Sequence, residues 1–295
     1  MDNSVIQIRN LSKHYGKSRG VVNINLDINE GEIFGFIGPN GAGKSTTIRI
    51  LLNLIFPSGG NASILGMDVV RQSAQIKRRI GYVPSDANFY DKMSVEEFLN
   101  YCIRFYKHEK AGERVEELCE LFELDRERKL TDLSMGNKKK VSIVQSLLHN
   151  PEVLILDEPT TGLDPLIQAK FFDLLHNENK KGVTVFFSSH ILSEVQTLCK
   201  RVAIIREGEV IKVEDIETLR KKQLKKVTLR LKREIPGDFR FTGIETILLS
   251  SGRDFSFTYS GDMNTLVHSL TELGIDDLSI EEPGLEEIFL HYYNR

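Results

Sequence analysis

The segment GPNGAGKST, from Gly38 to Thr46, constrains this chain more than any other. It stands between the apolar run EIFGFIG and the helix-like pattern KSTTIRILLNLI. Its spacing follows G-x-x-x-x-G-K-[ST] on Gly38, Gly43, Lys44 and Ser45, with a strand before and a helix after, the context this phosphate-binding motif requires. Glycine there serves the backbone. Without Cβ atoms the loop can aim N–H groups inward and admit phosphate oxygens at the positive end of the following helix. Pro39, Asn40, Gly41, Ala42 and Thr46 complete the loop. In such a loop Lys44 reaches the β- and γ-phosphates and Ser45 ligates Mg²⁺.

A second signal comes at VLILDEP, where Asp157 and Glu158 close a short apolar run. Ligands of open α/β sheets bind where strands end, and adjacent strand residues point different ways, so the two carboxylates can divide the work. Asp157 is expected to hold Mg²⁺ through water, and Glu158 to polarise the water that attacks the γ-phosphate. His190 ends VTVFFSSH, another buried-strand pattern finishing on the same edge. It is expected to reach either the γ-phosphate or the attacking water.

The rest of the pattern supplies the scaffold. SVIQIRNLSKHYG and VVNINLDINEGE alternate apolar and polar residues, as half-exposed antiparallel strands do. EIFGFIG, VLILD, VTVFFSS and RVAIIREG are continuous apolar runs typical of strands buried on both faces. Helix patterns alternate with them, which predicts an α/β domain with a mainly parallel sheet. From about residue 88 to 133 helix patterns succeed one another without a clear strand, and read as a helical insertion. With 39 Lys+Arg against 42 Asp+Glu, no global basic field points to nucleic acid. The three cysteines are scattered and lack metal-ligand spacing, which suits a reducing compartment. No run approaches the roughly 18 apolar residues of a membrane span.

Taken together, these motifs resemble the ATP-binding subunits of ABC transporters, over about residues 4 to 215. LSMGN, Leu133–Asn137, resembles the family signature LSGGQ; TGLD, ending at Asp164, resembles the D-loop; His190 resembles the switch histidine; and Tyr15 in KHYG resembles the aromatic that stacks on adenine. The resemblance implies a P-loop NTPase of the ABC ATPase type with a mainly parallel core sheet, antiparallel N-terminal strands, a helical insertion and a small C-terminal α+β domain. It implies ATP and Mg²⁺ as cofactors. It also implies pairing with a second ATPase subunit, identical or homologous, whose Ser134 and Gly136, at a helix start, face the γ-phosphate held by the first. Separately encoded transmembrane permease subunits would then hold the protein at the cytoplasmic face of the membrane. The alternative is a soluble ABC ATPase with another partner; a small-molecule kinase would leave the signature unexplained.

Three features depart from the family pattern. Met135 stands where the signature's first glycine is common, and Asn137 stands for glutamine. Methionine takes positive φ less readily, so the composite site is expected to be reshaped, as in exporters of antibiotics or drugs that share a looser signature. The Q-loop glutamine expected after GYVP is Ser85, too short for the same reach, so coupling is expected to pass through Asp86, a water or nearby backbone. Phe89 and Tyr90 could line a groove for a partner helix or belong to the core of the insertion.

In RKKQLKK, residues 220–226, five of seven side chains are basic, marking a linker; contact with anionic lipid headgroups is the less favoured use. The expected organisation is therefore an ATPase domain over 1–219 with its helical part near 86–150, a basic linker over 220–226, and an α+β domain over 227–295. The ending EEPGLEEIFLHYY resembles the tail of ABC-2-type export ATPases. Its Leu285, Ile288, Phe289 and Tyr292 fall at helical spacing suited to packing.

Overall fold

A computed structural model of the chain describes residues 4–16, 18–87, 89, 92–106, 111–221, 224–234, 242–271 and 273–281. The chain divides into two compact units, Met1–Val213 and Glu214–Arg295. The division falls ahead of the break expected after residue 219.

In the first unit, β1 (Ser4–Tyr15) and β2 (Ser18–Asn29) pair antiparallel, as their alternation predicts. After β3 (Ile33–Ile37) and α1 (Lys44–Leu51) come β4 (Gly59–Ile64) and β5 (Met67–Asp68), which extend that sheet to the order β2-β1-β4-β5. A short α2 (Ser73–Lys77) leads to β6 (Ile80–Val83).

The helical insertion comprises α3 (Val95–Ile103), α4 (Ala111–Leu121), a 3₁₀ turn at Leu130–Asp132, and α5 (Met135–Leu147). Its first helix starts where the sequence allows. The Ser94 hydroxyl accepts from the Glu97 N–H while the Glu97 carboxylate accepts from the Ser94 N–H, a capping box that satisfies two end groups of α3.

The remaining elements are β7 (Val153–Asp157), α6 (Pro165–Lys180), β8 (Thr184–Ser189), α7 (Leu192–Leu198), β9 (Arg201–Arg206) and β10 (Glu209–Asp215). They build a six-stranded sheet in the order β10-β9-β3-β8-β7-β6, in which β9, β3, β8, β7 and β6 run parallel. All side chains of β3, β7 and β8 are buried, which explains their unbroken apolar sequences. The two sheets and α1 share one core, in which Ile6, Ile24 and Ile64 meet Ile48, Phe36 and Phe186.

In the second unit, α8 (Ile216–Lys221) is followed by β11 (Leu224–Leu231), β12 (Ile244–Ser251), β13 (Asp254–Ser260), α9 (Met263–Thr271) and β14 (Ile275–Glu281). The strands form an antiparallel sheet, β12-β13-β11-β14, over a core of Val227, Leu229, Phe255, Phe257 and Leu266. Within the basic run 220–226, α8 reaches Lys221 and β11 begins at Leu224. Tyr90 and the apolar residues Leu285, Ile288, Phe289 and Tyr292 lie outside the described residues.

Candidate active site

Parallel register brings the motifs together. Ile37 pairs with Ser189, Asp157 with Ser188, and Val83 with Leu156, so β3, β8, β7 and β6 end nearly level. Four segments leave these strands at one shared edge: the loop from Gly38, then His190, then Glu158, then Pro84 and Ser85.

The loop from Gly38 ends in Gly43, at φ +111°, where a Cβ would lie 2.7 Å from Val21 Cγ1. Conformation and space both exclude a side chain there. Gly43 caps α1 without a side-chain hydrogen bond, which leaves the first-turn N–H groups of α1 available to an anion. Lys44, the first residue of α1, is 4% exposed. Its ammonium donates to the carbonyls of Gly38 at 2.7 Å and Pro39 at 3.2 Å, and pairs with Glu158 Oε1 at 3.2 Å.

Glu158 is held from every side. Its other carboxylate oxygen, Oε2, lies 3.1 Å from His190 Nδ1, and its N–H donates to the Ser188 carbonyl at 3.1 Å. Its φ is +47°, a left-handed conformation that only a well-determined environment sustains in a non-glycine residue. His190 therefore meets the carboxylate of Glu158 directly, a contact that motif spacing does not foretell.

Asp157 is buried, with Oδ1 accepting from Ser188 Oγ at 2.8 Å. Burial pushes its carboxyl above the ordinary range, and hydrogen bonds from Ser188 and Ser45 pull the other way. A buried carboxylate beside a serine hydroxyl is an all-oxygen donor set that fits a hard cation such as Mg²⁺.

Lys139 is a site residue that no motif marks. It is 1% exposed, and its ammonium donates to the carbonyls of Pro84 at 2.8 Å, Ser85 at 2.6 Å and Glu158 at 3.3 Å. Burial lowers its pKa, against the opposing fields of Asp86, Asp157 and Glu158. Within KKK it has the look of solvated charge, yet its spacing to Ser142, Ile143 and Ser146 is that of a buried helix face, and all four are buried.

The signature segment gathers elsewhere in the chain. Ser134 is the N-cap of α5, accepting from the Asn137 N–H at 3.3 Å, and Leu133 is buried just before it. Gly136 lies against the Gly162 carbonyl, so the 161–164 turn and the start of α5 are in contact. Asp164 caps α6, accepting from the Ile167 N–H at 3.0 Å. The concern over positive φ at Met135 does not arise: the residue opens α5, is absent from the left-handed positions, and is 69% exposed.

Tyr15 is half-exposed at the end of β1, not a core tyrosine. Its ring lies over Gly20, whose carbonyl in turn faces Gly43, which brings the aromatic face near the phosphate loop. Phe89 is partly buried and packs edge-on against Phe98 of α3, with ring centroids 5.0 Å apart.

Known proteins resemble this chain. The ABC transporter family model matches residues 21–161. The chain is 34% identical over 296 residues to the bacitracin transport ATP-binding protein BcrA of Bacillus licheniformis, covering 97% of this chain and 96% of that one. The chain belongs to the ABC transporter ATP-binding proteins. This ABC ATPase is also 36% identical over 213 residues to the linearmycin resistance ATP-binding protein LnrL of Bacillus subtilis, covering 71% of this chain and 68% of the relative. Among solved structures it resembles the dimeric ATP-binding cassette MJ0796 in a post-hydrolysis state with ADP and Pi. The TM-score is 0.66 at 28% identity, over 72% of this chain and 98% of that one. No helix among the described residues of this ABC ATPase is long and apolar enough to cross a membrane.

Proposed function

We propose that this ABC ATPase powers a membrane exporter, closing as a dimer on ATP and opening after hydrolysis, with a drug, peptide antibiotic or lipid-like cargo. The similarity to bacitracin and linearmycin proteins supports that cargo class. The permease subunits are separate chains and hold the ATPase at the cytoplasmic face. The second ATPase subunit is an identical copy or a homologue.

The observation that carries the catalytic reading is the Glu158 carboxylate, bridged between Lys44 at 3.2 Å and His190 at 3.1 Å at the common strand edge. In this reading the loop Gly38–Thr46 cradles the triphosphate and Tyr15 stacks on the adenine. The Lys44 ammonium exchanges its Glu158 contact for phosphate oxygens. The freed carboxylate takes a proton from the attacking water, and His190 holds it in orientation. Mg²⁺, held by Ser45 and through water by Asp157, would neutralise phosphate charge. Ser134 and Gly136 of one subunit cover the γ-phosphate of the other, so ATP joins the two faces and its cleavage separates them.

Glu158→Gln tests this. Removing a general base is expected to lower turnover by about 10²–10⁴-fold in steady-state phosphate release. The same variant is expected to accumulate a dimer with ATP in light scattering. Wild-type turnover in Glu158→Gln would remove the catalytic assignment, and a strictly monomeric variant with ATP would remove the dimer.

A further inference from the structure

Lys139 has no part in the hydrolytic scheme, yet it is a buried cation that ties two segments of the site together. An ammonium in the interior is costly unless its hydrogen bonds are all met. The three donors of Lys139 meet three backbone carbonyls. Those of Pro84 and Ser85 come just after β6, and that of Glu158 just after the adjacent strand β7. This arrangement is directional, because carbonyls from the ends of two neighbouring strands converge on one atom.

Glu158 needs such support. Its left-handed backbone, at φ +47°, is held at the N–H by the Ser188 carbonyl and at the carbonyl by Lys139. A backbone rotation there would swing the carboxylate off both Lys44 and His190. Lys139 also sits in α5, whose N-cap is Ser134. A single side chain therefore spans three things: the helix that begins at Ser134, the segment where serine replaces a longer side chain, and the backbone of Glu158.

We propose that Lys139 is a positioning residue for Glu158: it carries the placement of α5 and of the Pro84–Ser85 backbone to the catalytic carboxylate, a link that the short Ser85 side chain does not supply. The inference rests on the reading of Glu158 as the catalytic base. Lys139 touches neither substrate nor reacting atoms; it acts through the backbone to which it donates.

The test compares the full-length chain with Lys139→Met, Lys139→Arg, Glu158→Gln and the Lys139→Met/Glu158→Gln double variant, measuring ATP turnover with Mg²⁺ and using single-turnover conditions for slow forms. Lys139→Met is expected to lower kcat by about tenfold or more, since small misplacements of a reacting group cost up to about 10². KM for ATP should stay within about threefold, because the phosphate loop is untouched, and Lys139→Arg should recover part of the loss. In the double variant Lys139→Met should add less than about twofold to the loss from Glu158→Gln, as residues acting through one another are not additive.

A folded Lys139→Met with kcat within about threefold of wild type overturns the inference. So does a double variant in which the two losses multiply in full, which is the mark of an independent structural role. Should Lys139→Met fail to fold, Lys139→Gln, which keeps two N–H donors, carries the same comparison. Wild-type turnover in Glu158→Gln would overturn both this inference and the catalytic reading. Loss in Glu158→Gln with an unaffected Lys139→Met overturns this inference alone.

Discussion

Asp157 and Glu158 are neighbours in sequence with opposite situations. Glu158 is partly accessible and fixed by its contacts with Lys44 and His190, whereas Asp157 is 1% exposed and meets serine hydroxyls. Because burial raises the Asp157 carboxyl, the folded chain holds that proton more tightly than the unfolded chain. Stability linked to it is present at low pH and declines as pH rises from the ordinary carboxylate range through the raised value. At neutral pH the ionised group is therefore a cost of folding without its cation. Asp157→Asn, in the absence of nucleotide and divalent metal, is expected to raise Tm at pH 7, by about 2–4 °C for each kcal/mol relieved in a chain of this size. Thermal melts from pH 7 to 4 should show the difference shrinking as Asp157 becomes protonated in the wild type. A Tm difference that grew toward pH 4 would refute the argument.

At the scale of elements, the site depends on how closely α5 approaches β6. A Cβ on Gly81, in the middle of β6, would lie 2.1 Å from the Ser146 carbonyl oxygen of α5. That contact is backbone to backbone and cannot relax by a rotamer change. It is also what lets Lys139, two turns earlier on α5, reach the carbonyls beyond β6. Gly81→Ala is expected to cost about 1–3 kcal/mol through overpacking, measurable as a lowered midpoint in urea. Turnover should fall further than the loss of folded protein accounts for. The sequence does not mark this strand, because IGYV is only four residues long and too short a run to separate strand from helix.

At the scale of the molecule, the two compact units have separate cores, with Phe36, Ile48 and Phe186 in one and Leu229, Phe257 and Leu266 in the other. The phosphate loop, the two carboxylates, His190 and Lys139 all belong to the first. A chain ending at Asp215, the last residue of β10, is expected to fold cooperatively and to bind ATP as the full chain does. At a ligand excess of about 100 Kd both should gain about 2.7 kcal/mol, read as matching Tm shifts in a thermal melt. A truncated chain without a cooperative melt would show that the second unit is needed to fold the first, and one that melts without a nucleotide-dependent shift would show that it is needed for binding.

Local order was legible from residues alone wherever a motif combines backbone chemistry with an apolar strand. GPNGAGKST, VLILDEP and VTVFFSSH announce their ends of strands because unbroken apolar runs mean burial on both faces, and a carboxylate, an imidazole or a glycine-rich loop closes such a run where the strand ends. The basic run 220–226 says less about structure, because charge reports solvation, and a solvated helix end or strand start is charged too. No stretch of sequence carries the knowledge of which strand ends meet. Register across β7, β8 and β3 sets Lys44 and His190 on the Glu158 carboxylate, and register of β6 with β7 sets the Ser85 and Glu158 carbonyls on Lys139. The buried face of α5 then turns the middle lysine of KKK inward, because a side chain's partners across the chain are set by packing rather than by its neighbours in line.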